Sequence, residues 1–389
     1  MINKTWVILV LVFSLGSLFK LSFPLTEIHI SWLDIGVVLI NVYFLIKNIS
    51  RLTFFYKNNS LVRALILFYS VGLISLFFRI FTLEPRAIFV GFLYWSRGLM
   101  YGLLFIPLSD LFTKSSLKKL LFSLGLVTVI TGIGQYIISP DIRFLEVAEW
   151  DPHYYRVVGT ILDPGFVGAV LTVFLLLLVF FRDKFKPKTF LLMIIPTYLT
   201  FALTYSRSSY LALLAGIAAY SVKVKSVRPF IISFLLLVAT ILLLPRSPGG
   251  EGVKLERTSS VQARIINWQR TLQIFSQNPV LGVGFNTYRY AQKQAGFLDN
   301  IKWLKSHSGA GADSSLLFVA ATTGIVGLAF YLRFLSRLWN YPSVFPLYIP
   351  LASLLVHSLF LNSLFYPHIL FLLSVILSVF GTAKDETKR

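Results

Sequence analysis

Six arginines, Arg79, Arg86, Arg97, Arg156, Arg207 and Arg264, stand within or at the ends of apolar helical stretches, where charge is costly to keep. A guanidinium fork grips phosphate oxygens through two parallel hydrogen bonds and stays charged when partly buried. The cluster therefore suits a pyrophosphate held at a membrane surface. A plainer reading competes for each member, because an arginine at a helix end also serves as an interfacial anchor with its stem in the apolar layer. Arg97 has a further alternative, pairing with Asp34 across neighbouring helices.

Other chemistry finds less support. The histidines, His29, His153, His307, His357 and His368, have no metal-ligand spacing, and no paired aspartates stand ready for a divalent ion, so no metal is expected. Gly282-Val283-Gly284 is half of a dinucleotide fingerprint, but it lacks the third glycine and follows a helical stretch and Asn278-Pro279 instead of a strand. No serine sits in a G-x-S-x-G elbow, and the absence of cysteine removes disulfide, haem-attachment and thiolate mechanisms. No cofactor is expected.

The elements that must position these residues are membrane helices. Hydrophobic residues make up 56% of the 389 and charged ones 13%, half of what a soluble domain carries. Apolar runs long enough to cross a bilayer recur from Trp6 to the C-terminal end, and the first lacks a small-residue cleavage pattern. The expected fold is an all-α integral membrane protein, one polytopic domain over 1–389. Twelve helices are expected at about 5–25, 28–46, 61–83, 87–111, 117–139, 159–181, 189–206, 208–222, 228–244, 315–332, 343–361 and 366–381. The eighth is short, and with the seventh it could form one re-entrant hairpin.

Charge orients the bundle. With the N-terminus inside, twenty Lys and Arg residues fall in alternate loops and the termini on the cytoplasmic side, against seven on the other face outside one long loop. The net charge of +20 is thus a matter of sidedness and not a sign of nucleic-acid binding. Both termini are expected in the cytoplasm, and the segments 140–158 and 245–314 outside, where long loops carry function. Within 245–314, Val261, Ile265, Trp268, Leu272 and Phe275 recur at helical spacing, with Ser259 or Ser260 as cap and Asn278-Pro279 as stop. This amphipathic helix is expected to lie on the membrane like a lid.

Four stretches in order resemble the O-antigen ligase and polymerase superfamily of lipid-linked glycan transferases. They are Arg156-Val-Val-Gly-Thr-Ile-Leu-Asp-Pro164, Thr204-Tyr-Ser-Arg-Ser-Ser-Tyr-Leu211, Arg264-Ile-Ile-Asn-Trp268 running to Asn278-Pro-Val-Leu-Gly-Val-Gly-Phe285, and Ala312-Asp-Ser-Ser-Leu-Leu317 with Thr323-Gly-Ile-Val-Gly327. The resemblance covers about 150–330. It implies a GT-C-like glycosyltransferase in a bacterial plasma membrane, working without metal or nucleotide. The donor would be an oligosaccharide on undecaprenyl pyrophosphate, the acceptor another lipid-linked glycan, and a chain-length regulator and a flippase would be partners beside membrane lipid.

By the same resemblance Arg156, Arg207, Arg264 and Arg97 are the pyrophosphate-binding candidates. Ligases of the superfamily carry a His-Asn pair eleven residues before the first glycine of Gly-x-x-Gly, and counting back from Gly324 reaches Asp313. The aspartate resembles the polymerase branch. Asp313 is the candidate base for the acceptor hydroxyl, with His307 as substitute and a helix N-cap as the structural alternative for Asp313. Gly165 stands where the family often has asparagine. A polysaccharide polymerase is favoured, a ligase is the nearest rival, and a lipid-linked sugar flippase or a cell-wall glycosyltransferase is a more distant one.

Overall fold

The computed structural model describes residues 5–15, 18, 20–22, 28–148, 150–246, 250–299, 303–304, 309, 311–341 and 346–381. The described residues are mostly helical. In order come α1 (Thr5–Leu15), α2 (Trp32–Asn58), α3 (Ser60–Phe77), α4 (Pro85–Leu103), α5 (Phe105–Leu111), α6 (Lys114–Ile138), α7 (Pro164–Phe180) and α8 (Pro187–Ala202). Then follow α9 (Arg207–Lys223), α10 (Arg228–Leu243), α11 (Ser259–Gln277), α12 (Tyr288–Gln294), α13 (Ser315–Trp339), α14 (Tyr348–His357) and α15 (Pro367–Phe380). Two three-residue strands, β1 (Lys20–Ser22) and β2 (His29–Ser31), pair antiparallel between α1 and α2 with Lys20 opposite Ser31.

Every one of the twelve expected segments contains a helix, but the count of twelve full spans does not stand on length. Among the described residues α2, α3, α6 and α13 are long and apolar enough to cross a bilayer alone. The pair α4 and α5, bent by 44°, makes a fifth if it is one broken span. Six further apolar helices, α1, α7, α8, α10, α14 and α15, run 10–17 residues. At 1.5 Å per residue even the longest of these reaches about 25 Å, short of roughly 30 Å of hydrocarbon. The architecture is a multi-pass helical membrane protein that mixes long spans with shorter apolar helices.

Helix α7 shows why a short helix is stable there. Its sequence is apolar on every side, and apart from Phe166 every residue from Pro164 to Leu178 is buried, as expected of a helix at the centre of a bundle. Helices α6, α8, α9, α14 and α15 pack around it. Helices α8 and α9 both lean mainly on α7, and they meet each other where Tyr210 of α9 packs on Phe201 and donates to Ala202 O at the end of α8. In contrast, α10 buries Leu237 alone and leaves Ile232, Leu235, Leu242 and Leu243 open to the surroundings.

The motif glycines mark a break. Inside α13, Gly324 adopts φ 68° and ψ −170°, a region that only glycine occupies without strain. The opened turn is filled by the 279–284 segment. Ile325 N–H donates to Pro279 O (2.8 Å), and Val326 N–H to Val280 O (3.3 Å). Val283 N–H donates to Ala321 O and Gly284 N–H to Thr322 O, both at 3.0 Å. A Cβ on Gly324 would sit 2.1 Å from Val280 O, so the two glycine motifs are one interlocked joint. Ser75 Oγ from α3 seals it by donating to Leu281 O and Thr322 O. Arg79 seals it further by donating to Gly282 O from Nε (3.1 Å) and Nη2 (2.6 Å), and to Asn278. Arg79 therefore has a structural task in this joint.

Candidate functional site

The joint fixes the start of α13 beside α11, and four helix beginnings converge there. Asp163 caps α7, its Oδ1 accepting from Gly165 N–H (2.7 Å) and Phe166 N–H (2.9 Å). Before it, the 140–162 segment is tied down by Tyr155 N–H to Pro140 O, by Val157 N–H to Leu203 O, and by Gln135 Oε1, which accepts from Val158 and Gly159. Arg156 leaves this segment with only 9% of its surface exposed. Its Nε donates to Thr204 O (3.0 Å) and its Nη2 to Tyr205 O (3.4 Å).

Arg207 opens α9, whose cap is Ser206. Its Nη1 donates to Leu255 O (3.1 Å) and Arg257 O (3.0 Å), and its Nη2 to Ser260 Oγ (2.5 Å). The serine expected to cap α11 is thus spent on Arg207, and the N-cap is Thr258, which makes no side-chain cap bond. Arg257 donates to Gly252 O and Lys254 O, both at 2.8 Å. Arg264, one turn into α11, makes no protein hydrogen bond among the described residues.

The Arg264–Trp268 stretch works as a clamp because i, i+3 and i+4 share a helix face. Asn267 Oδ1 accepts Asp313 N–H (2.8 Å), and Trp268 Nε1 donates to Asp313 O (3.1 Å). The residue that caps α13 is Ser314, whose hydroxyl accepts from Leu317 N–H, so Asp313 is not the cap and its carboxylate stays available. The expected apolar stripe of α11 is split: Trp268 enters the clamp, Val261, Ile265 and Leu272 are exposed, and Thr271 and Ile274 are the buried residues of the helix.

Electrostatics follow from burial. None of Arg156, Arg207, Arg257 and Arg264 forms an ion pair among the described residues. Burial, then Arg257 and Arg264 against the opposing pull of Asp163, brings Arg156 down to about 9. Burial, Arg207 and Arg264 lower Arg257, and burial lowers Arg264 despite Asp313. Burial lifts Asp313 to about 6, with Arg264 opposing and Asp163 and Asp151 adding to the rise, and burial also raises Asp163. Unpaired cations repelling one another around proton-accepting carboxylates make a site for a polyanion with a base beside it.

The backbone is strained to aim these groups. Tyr155 (φ 51°), Leu162 (φ 63°) and Tyr205 (φ 49°) precede Arg156, Asp163 and Arg207 by one or two residues. Such conformations cost about 1–3 kcal/mol each and gather at functional sites. Behind the arginines, His357 joins three elements. Its Nε2 lies 3.3 Å from both Ser208 Oγ and Ser209 Oγ, and its Nδ1 lies 2.5 Å from Ser363 Oγ. Ser209 also reaches Gly165 O (3.2 Å), so the starts of α7 and α9 move as one.

Of the sequence candidates, Arg156, Arg207, Arg264 and Asp313 come together. Arg97 does not join them: its Nε is 2.7 Å from Asp34 Oδ1, which also accepts from Tyr101, while Ser31 holds the other oxygen. The pyrophosphate assignment of Arg97 is corrected to the ion pair, since a fork committed to a carboxylate has no charge to spare. His307 lies outside the described residues. Sequence reasoning missed Arg257, hidden in a loop with Glu251 and Glu256, although it stands two helical turns before Arg264.

Residues 189–332 match the family model described as O-antigen ligase. The chain carries the domain of the O-antigen ligase and polymerase superfamily. The matched segment runs from α8 into α13 and contains Arg207, Arg257, Arg264 and Asp313, while Arg156 and Asp163 lie before it. No curated protein matches the chain. The match covers under half of the 389 residues and supports glycan transfer of that general type.

Proposed function

We propose that the chain is a polysaccharide polymerase, transferring a glycan from undecaprenyl pyrophosphate to a lipid-linked repeat unit at the outer face of the plasma membrane. One observation carries this reading: four arginines that form no ion pair among the described residues lie close enough to act on one another, and one of them, Arg264, acts on Asp313. The acceptor hydroxyl gives its proton to the Asp313 carboxylate as its oxygen attacks the anomeric carbon. The anomeric bond to the diphosphate breaks, and the arginines hold the charge that develops on the leaving group. His307 is the substitute base. Arginine and carboxylate suffice for these steps, so the reaction is expected to run in chelator.

The twenty-to-seven basic asymmetry supports an outward-facing site with both termini in the cytoplasm. A ligase reading is favoured by the description of the matching family, and both readings share the donor site. Purified protein given lipid-linked repeat units alone should build a ladder of longer chains. Transfer only when a lipid A core or other acceptor is added would replace polymerase by ligase, and no transfer to either would overturn both.

A further inference from the structure

His153 has no task in the reading above, yet it sits among the charges. It lies on the outer segment three residues before Arg156, and Ile142 N–H holds it in place through its backbone oxygen (3.1 Å). Its Nε2 is buried and has no hydrogen-bond partner among the described residues. An orphaned buried polar atom costs about 1–3 kcal/mol, so such an atom calls for a ligand or a charge change. The charged groups that act on the ring are Arg156 on its own segment and Arg257 on the loop after α10; Asp163 pulls on Arg156 and Glu251 on Arg257, but no carboxylate acts on the ring itself. Burial first, then these two cations, bring the imidazole down to about 3 and keep it neutral.

We propose that His153 is a conditional cation of the donor site, taking up one proton when a diphosphate diester settles beside Arg156 and Arg257 and then donating from Nε2 to a diphosphate oxygen. The proposal rests on the donor reading given above. Two negative charges beside the ring offset the guanidinium groups that oppose imidazolium, and a phosphate oxygen supplies the acceptor that the buried nitrogen lacks. The ligand and the proton then favour each other by the same factor, because linkage is reciprocal. Arginines alone would bind the diphosphate with little dependence on pH.

The test is titration calorimetry of the full-length protein in detergent, with a dimethyl diphosphate carrying one methyl on each phosphorus. Running it in buffers of differing ionisation enthalpy counts the protons. Between about pH 5 and 7, one proton should enter per ligand bound, and affinity should rise about tenfold for each unit of pH lowered. In Asp313→Asn, where the neighbouring carboxyl that titrates near 6 is gone, the uptake should persist, and adding His153→Gln to that background should abolish both the uptake and the pH dependence. Binding by the natural protein without proton uptake overturns the proposal and leaves the donor site standing, whereas no binding at all overturns the donor site and the proposal with it. Should the variant fail to fold, nitrogen NMR of labelled histidines in the natural protein decides instead. One imidazole must pass from neutral to protonated on adding the ligand, and five unchanged rings overturn the proposal.

Discussion

Replacing Asp313 by asparagine should make the protein more stable and far less active. Burial lifts the carboxyl from 3.8 to about 6, so the folded protein holds its proton more tightly than the unfolded chain does. Keeping the ionised form at neutral pH then costs about 2–3 kcal/mol at roughly 1.4 kcal/mol per unit. That cost is absent below about pH 4 and complete above about pH 6. Asparagine removes the charge at nearly the same shape, and the backbone bonds from Asn267 and Trp268 remain. In detergent the variant should unfold several degrees higher than the natural protein at neutral pH, with the gap closing as pH falls through that window. Chain extension should drop by about 10²–10⁴, the usual result of losing a general base, while the natural enzyme's rate climbs as pH rises through about 6. Full turnover in Asp313→Asn would refute the base assignment, and an unchanged melting temperature at neutral pH would refute the buried charge.

Three further outcomes follow from the geometry. Arg156→Lys and Arg264→Lys should reach the membrane in normal amounts but extend chains roughly 10- to 100-fold more slowly, since an ammonium keeps charge without the fork; equal activity would make them interfacial anchors only. Gly324→Ala should destabilise the protein by roughly 3 kcal/mol or more, because its Cβ meets Val280 backbone at 2.1 Å and the joint's hydrogen bonds must part, as thermal unfolding would show. Gly134→Ala, with nothing within 4 Å of the new carbon, should be neutral or stabilising by up to about 1 kcal/mol, and a similar loss in both would deny the joint. In a chain without native cysteine, a membrane-impermeant maleimide should label Lys254→Cys and spare Lys118→Cys in intact cells, and the reverse pattern would place the site on the wrong side.

Composition and period were enough to read a helical membrane protein, because hydrocarbon leaves the backbone few options and an apolar run announces itself locally. The same locality placed helices in all twelve segments and marked the arginines as costly charges, whereas Asp313 and the choice of Arg156, Arg207 and Arg264 came from the resemblance to the O-antigen ligase and polymerase superfamily. What local pattern could not reveal was which helices are full spans, since a short helix such as α7 is stabilised by neighbours distant in sequence. Nor could it tell that Arg97 belongs to Asp34, that Arg79 fastens a loop, or that Ser314 and not Asp313 caps α13. Each of those depends on which of several chemically equal partners lies within hydrogen-bond reach. Arg257 and His153 were hidden in the same way, in loop segments that the fold buries near Arg156. Residue type announces which charges are costly, and only packing decides which of them are left unpaired to meet a ligand.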